Sequence, residues 1–161
     1  MSIDNFAARL NDLEIFRGLA PAQIAGIVRD AERMSLRDGH AIVTAGASGD
    51  GAYLIVGGEA VVVEDPTDAG PSQQRVPAGS LLGEMAMLIE HAYAVTIVCR
   101  GPVRALKLNR GALHRQMAAD PDLAEHFVSR IASRLTRVAV ELRRIDQMLA
   151  MAGESKAPAP M

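Results

Sequence analysis

Ten glycines between positions 39 and 101 (Gly39, Gly46, Gly49, Gly51, Gly57, Gly58, Gly70, Gly79, Gly83 and Gly101) cut the middle of the chain into short runs. The runs between them are β-prone: residues 41–43, 53–56, 60–63, 94–98 and 103–108. No helix of useful length survives that spacing, whereas several short strands separated by turn residues suit an antiparallel sandwich or barrel. The expectation is an antiparallel sandwich or barrel over residues 35–108. Val56-Gly57-Gly58-Glu59 reads as a hairpin turn, because glycine supplies the positive φ that tight hairpins need. Residues 65–72, rich in Asp, Pro, Gly and Ser, read as a polar, mobile loop.

Helical periodicity flanks this region, so the fold class is α+β. Over residues 1–34, Phe6, Leu10 and Leu13, then Ile24, Ile27, Val28 and Ala31, recur at helical spacing. Gly18 and Pro21 punctuate between them, which gives two helices with a bend and places Phe16 and Leu19 inward. Residues 109–151 are helical again. Asn109 caps a short helix through Met117, and Asp120-Pro121-Asp122 combines a capping Asp, a first-turn Pro and an acidic first turn. From there Phe127, Ile131, Leu135, Val138, Leu142, Ile145 and Leu149 follow at spacings of four and three. A helix of ~30 residues spans ~45 Å, more than a small domain needs for its own core. The first two turns are expected to pack on the roll, and the stripe, above all beyond Leu135, to form a coiled-coil seam in a homodimer. Residues 152–161 read as a disordered tail.

Composition bounds function. The 161 residues are 49% hydrophobic and 22% charged, ordinary for a globular chain and wrong for a disordered one. A net charge of −2 argues against bulk electrostatic binding to nucleic acid or anionic membrane. No apolar stretch approaches the ~18 residues that span a bilayer. Cys99 is the only cysteine, so an internal disulfide and a Cys-rich zinc site are both excluded, and it reads as a small inert apolar residue. The start, Met1-Ser2-Ile3-Asp4-Asn5-Phe6, lacks the pattern of a signal peptide, and a cytoplasmic location is expected. His40, His91, His114 and His126 show no metal-ligand spacing. No catalytic Ser-His-Asp or paired-carboxylate arrangement is legible, so no enzyme activity is expected. Arg130, Arg134, Arg137, Arg143 and Arg144, partly balanced by Glu141 and Asp146, read as a solvated helix face. No reading helix follows the long helix, so direct DNA binding is not expected.

One segment carries chemistry: Leu82-Gly83-Glu84-Met85-Ala86-Met87-Leu88, a tight turn opening a short helix. Glycine permits close backbone approach to a ligand, helix-start amides suit an anion, and a carboxylate can accept hydrogen bonds from sugar hydroxyls. Upstream stand Ile42-Val43-Thr44-Ala45-Gly46-Ala47-Ser48-Gly49, Tyr53-Leu54-Ile55 and Gly58; downstream stands Ala94-Val95-Thr96-Ile97-Val98. Taken together, residues 10–150 resemble the cyclic nucleotide-binding domain family. The resemblance implies a jelly-roll-like β-roll over residues 35–108, a phosphate-binding cassette over residues 82–98, a long final helix that dimerises, and a non-enzymatic sensor that relays ligand state to a partner. It implies that Gly83 and Glu84 face a ribose, that Met85 and Ala86 sit in the short helix facing the phosphate, and that Tyr93, Ala94 and Thr96 close the site.

The chain departs from the family pattern at its cation. The position that carries Arg, nine residues after Glu84, holds Tyr93, and the preceding Pro is Ala92. Losing one partner of a buried charged pair costs about 2–5 kcal/mol, so phosphate affinity should fall at least ~thirtyfold. His91 or the Tyr93 hydroxyl offers a partial substitute. The positions that read the base in the catabolite-activator branch fall on Val138 and Ala139, which cannot hydrogen-bond. The expected ligand is cyclic AMP or another cyclic nucleotide, held weakly. A ligand-free dimeric interaction scaffold and a transcription-regulator-like subunit without its own DNA-binding part are the alternatives.

Overall fold

A computed structural model describes residues 3–63 and 74–155. The loop at 65–72 and the end of the tail lie outside the described residues. The chain divides into two compact units, residues 1–124 and 125–161.

The first unit begins with α1 (Ile3–Asn11), a 3-10 turn at Glu14–Phe16 and α2 (Pro21–Asp30). Phe6, Leu10, Phe16, Leu19, Ile24, Ile27 and Val28 are buried, as the periodicity requires. Burying side chains of this size contributes about 1.5–3 kcal/mol each. Pro21 opens α2, and the Gln23 side chain accepts a hydrogen bond from the Ala20 amide at 2.8 Å. Helical texture was expected as far as Met34, but Ala31 turns extended and β1 (Glu32–Leu36) pairs with residues 103–107. Tertiary pairing decides those positions, overriding the local pattern.

Seven further strands build the roll: β2 (Ala41–Val43), β3 (Ser48–Gly49), β4 (Gly51–Val63), β5 (Arg75–Val76), β6 (Leu81–Leu82), β7 (His91–Ala92) and β8 (Thr96–Asn109). All pairs are antiparallel. The order β1-β8-β4-β5 forms one sheet, with β2 also on β8 and β6 also on β4; β3 and β7 form a second, small sheet. Gly57-Gly58 is therefore not a hairpin turn. β4 runs straight through it, with register shifts against β8 on either side of Gly57. Two glycines let one long strand bend while staying paired. Gly58 has φ +89°, and a Cβ there would stand 2.3 Å from the Pro102 carbonyl oxygen. Likewise the two runs read at 94–98 and 103–108 are one strand, β8, bent at Gly101 with φ +81°.

The roll core is Ile42, Val43, Ile55, Ala60, Val76, Leu82, Ile97, Cys99 and Val103, with Leu36, Tyr53, Val62 and Tyr93 packed against it. Burial pushes the Cys99 thiol upward and keeps it protonated. Ala52, Leu54, Leu106 and Leu108 are buried as well. After β8 comes α3 (Arg110–Ala119), capped as expected by Asn109, whose side chain accepts from the Ala112 amide at 3.2 Å.

The final helix, α4 (Pro121–Ser155), starts where the Asp-Pro-Asp signal places it. Asp120 Oδ1 accepts from the Asp122 and Leu123 amides. The helix continues to Ser155, into the segment read as tail. Leu123 and Phe127 are buried, whereas Leu135, Val138, Leu142, Ile145 and Leu149 are 46–66% exposed. No helix among the described residues is long and apolar enough to cross a membrane, and no cluster of metal-ligating side chains is found among them.

Candidate ligand site

The cassette is built where β6 ends. Gly83 adopts the left-handed conformation (φ 68°, ψ 39°), and Glu84–Met87 then make one 3-10 turn closed by the Ala86 amide on the Gly83 carbonyl at 2.9 Å. A left-handed position at the mouth of the turn is the physical reason for glycine there. Ala86 and Met87 are fully buried, and Glu84 and Met85 are half-buried.

Tyr93 packs against this turn. Its backbone is pinned to the turn that precedes β3: its amide donates to Ala47 O at 3.0 Å, and its carbonyl accepts from the Gly46 amide at 2.9 Å. The ring then turns into the cassette. A Cβ at Gly49 would stand 2.0 Å from Tyr93 Cζ, and one at Gly83 would stand 2.5 Å from Tyr93 Cε1. No real Cβ approaches that closely, so the phenol lies flush between two backbones that only glycine leaves bare. Its hydroxyl donates to Gly51 O at 2.8 Å. The ring thus ties together β3, the start of β4 and the cassette turn. Desolvation, reinforced by neighbouring Tyr53 and Asp50, raises the phenol above its ordinary value, so it stays a neutral donor.

The other expected site residues separate. Gly83 and Tyr93 are brought together. The Thr96 hydroxyl is engaged by the Ala45 amide at 2.9 Å, which closes the roll, and Ala94 is exposed. His91 is exposed on β7, where it pairs with Gly49.

Sequence reasoning missed a cation. Lys107 pairs in register with Tyr53, and its side chain is only 15% exposed. Its ammonium lies 2.9 Å from Asp50 Oδ1 and 5.6 Å from the centre of the Tyr53 ring. Desolvation opposes the charge of Lys107, but hydrogen bonding to Asp50, with support from Tyr53, outweighs it and leaves the group above its ordinary value. The same hydrogen bond holds the Asp50 carboxyl below the usual range. Lys107 is one of two lysines in the chain and the only charge between Arg104 and Asn109, a signal that was legible. It does not stand in for the missing guanidinium, because its charge is already matched by Asp50.

Arg110 and His114 were also missed. Arg110 Nη1 donates to Gly49 O at 2.9 Å, Ala86 O at 3.1 Å and Ile89 O at 3.0 Å. His114 Nε2 lies 2.6 Å from Leu88 O. Both reach from α3 to the far end of the cassette.

Known proteins place this architecture. Residues 33–120 match the family model described as the cyclic nucleotide-binding domain. Over 124 residues the chain is 25% identical to a CRP-like cAMP-activated global transcriptional regulator of Mycobacterium tuberculosis, covering 76% of this chain and 55% of that protein. The chain thus spans about half the length of the curated relatives it matches. Among solved structures, a cyclic nucleotide-binding-like protein from Brucella abortus is 27% identical with a TM-score of 0.63, covering 70% of this chain and 97% of its own. The regulatory domain of Toxoplasma gondii PKA, solved with cAMP, is 25% identical with a TM-score of 0.59, covering 82% of this chain and 50% of that one. The N-terminal domain of a Streptomyces coelicolor transcriptional regulator shares the fold, with a TM-score of 0.72 at 21% identity over 83% of this chain and 94% of that one. With more than half its length under the family model and the glycine-bent roll, cassette turn and trailing helices all in place, this chain belongs to the cyclic nucleotide-binding domain family.

Proposed function

We propose that the chain is a non-enzymatic regulatory module in which Tyr93 holds a degenerate phosphate cassette shut, so that a cyclic nucleotide binds weakly and its arrival is relayed to a partner. The carrying observation is the phenol wedged against Gly49 and Gly83 with its hydroxyl on Gly51 O. The relatives supply the class of ligand: one is named as cAMP-activated and another was solved with cAMP. Admitting a phosphate requires the ring to leave. Breaking its hydrogen bond costs about 1 kcal/mol, and uncovering a half-buried ring costs about as much again. A closed state favoured by ~2 kcal/mol lowers apparent affinity ~thirtyfold, beyond the loss of the guanidinium itself. Ligand then acts by shifting the population between closed and open cassettes, which is how a binding event becomes a signal.

Output runs through a dimer. Among the exposed apolar residues of α4, Leu135, Val138, Leu142, Ile145 and Leu149 repeat at three and four, the pattern of a two-stranded seam. The shut cassette also favours a second reading, in which the module is a ligand-free dimeric scaffold. Titration calorimetry with cyclic AMP, cyclic GMP and cyclic di-GMP separates the two: weak, saturable heat supports the sensor, and silence to millimolar ligand leaves the scaffold. Tyr93→Arg sharpens the test, since it removes the wedge and restores the cation together. Cyclic AMP affinity should rise at least ~tenfold. An unchanged affinity overturns the closed-cassette reading.

A further inference from the structure

The spacing of the apolar stripe on α4 says that copies of this helix pack together. The residue types at each position say how many. From Ile131 to Leu149 the steps of four and three set a heptad register. Leu135, Leu142 and Leu149 take its a positions, and Ile131, Val138 and Ile145 its d positions. Every a residue in that span is leucine and every d residue is β-branched. A parallel pair of helices favours the reverse order, β-branched at a and leucine at d. At the d layer of a pair the side chain points straight at its counterpart, and a β-branched residue, stiff at χ1, fits there only off its preferred rotamer. Leucine at a with isoleucine at d shifts the preference to wider bundles.

The flanks agree. In a two-stranded coil, long charged side chains at e and g cover the edges of the seam with their stems and pair across it. Here Ala132 and Ala139 stand at e positions and Met148 at a g position, all three exposed. Alanine covers little, so a pair of helices leaves the leucines of the seam open to water on that side. The charge pairing that would hold two strands is missing as well. A g residue faces the e residue five places on in the other copy, which sets Arg134 against Ala139 and Glu141 against Asp146. Glu141 and Asp146 have their opposite charges on their own helix, with Arg144 and Arg143 three residues away.

We infer that the α4 seam closes as a four-stranded bundle, so that the occupant of the open flank is a second dimer of this same chain. Four strands rather than three follow because pairing a dimer with its like gives four. Four cassettes then share one bundle. The inference rests on the seam proposed above and adds the number of strands to it.

Sedimentation equilibrium on the full chain, without ligand, tests it. Between micromolar and millimolar chain the mass should rise from two chains to four. A register swap keeps the spacing and the apolar pattern but reverses the order. Ile131→Leu, Leu135→Ile, Val138→Leu, Leu142→Ile, Ile145→Leu and Leu149→Ile together should stop at two chains over the whole range. Where that variant does not fold, the single exposed substitution Ala139→Glu decides. It offers Arg134 an ion pair within a dimer and places a charge where a four-stranded bundle excludes water, so it too should hold the mass at two chains, with unchanged circular dichroism. A wild-type mass that ends at two chains overturns the inference and keeps the dimer. One that ends at three overturns it as well, and one that stays at a single chain removes the dimer with it. A mass of four chains that the variants share with the wild type also overturns it, since another surface then makes the tetramer.

Discussion

Gly49→Ala should change the sign of its effect with the residue at position 93. Gly49 lies outside the positive-φ glycines, so its backbone conformation accepts an alanine. On that ground alone the substitution would stabilise by about 0.4–1 kcal/mol, through the unfolded chain. The ring forbids it. The three atoms nearest the new Cβ are Tyr93 Cζ at 2.0 Å, Oη at 2.1 Å and Cε2 at 2.5 Å. Ordinary contact begins near 3.4 Å, so the ring must retreat by about 1.4 Å. The Tyr93 backbone cannot follow, held by Ala47 and Gly46, and the hydroxyl loses Gly51 O. A lost hydrogen bond at about 1 kcal/mol and overpacking at about 1–3 kcal/mol predict a net destabilisation of roughly 2–3 kcal/mol. In a Tyr93→Ala background the obstacle is gone and Gly49→Ala becomes neutral or stabilising. Urea unfolding of the four proteins closes the double-mutant cycle, with an expected coupling of at least ~2 kcal/mol and unchanged m-values. Equal destabilisation in both backgrounds would place the ring elsewhere and remove the physical basis for a shut cassette.

Two further outcomes follow from the charges and the exposed helix. Asp50→Asn should lower the thermal midpoint by a few degrees at neutral pH, since the ion pair with Lys107 is worth no more than about 1 kcal/mol with Asp50 62% exposed. The Asp50 carboxyl lies below its ordinary value when folded, so its contribution is complete above about pH 5 and fades as pH falls through the lowered value; Lys107, held above its ordinary value, keeps its charge throughout that range. Thermal scans should show the gap between the two proteins constant from about pH 5 to 9 and closing below about pH 4, and a gap that persists at pH 2 refutes the pairing. Leu142→Asp should convert a dimer to a monomer by sedimentation while leaving the roll's unfolding midpoint nearly unchanged, because Leu142 is 60% exposed in the single chain. An unchanged mass refutes the seam.

Much of the fold was legible because it is local. The Asp120-Pro121 start, the Asn109 cap and the periodicity of Phe6, Leu10, Ile24 and Ile27 each depend on residues within a turn or two, and each stands where it was read. What failed depended on pairing at a distance. Gly57-Gly58 has hairpin chemistry, but β8 offers an unbroken partner for β4, so the same glycines make a bend. Glu32–Leu36 has no strand signal strong enough to outweigh the helix before it, yet β8 supplies a full ladder. The site divides in the same way. The place where the resemblance puts an Arg can be counted along the chain and falls on Tyr93, and the expectation of a weak phosphate site rests there on an unbalanced charge. The structure gives the substitution a different physical character. Tyr93 lies 44 residues from Gly49 and ten from Gly83, and its ring needs both to be glycine. Such a pair of bare backbones facing one aromatic is not visible as a motif, because no spacing rule connects them. It becomes visible only when the three positions are taken together, and it changes the question asked of the pocket. A cassette merely lacking its cation would be rescued by any nearby positive charge. On the closed-cassette proposal even Lys107 is no help while Asp50 holds it, and the energy to measure is that of moving the ring.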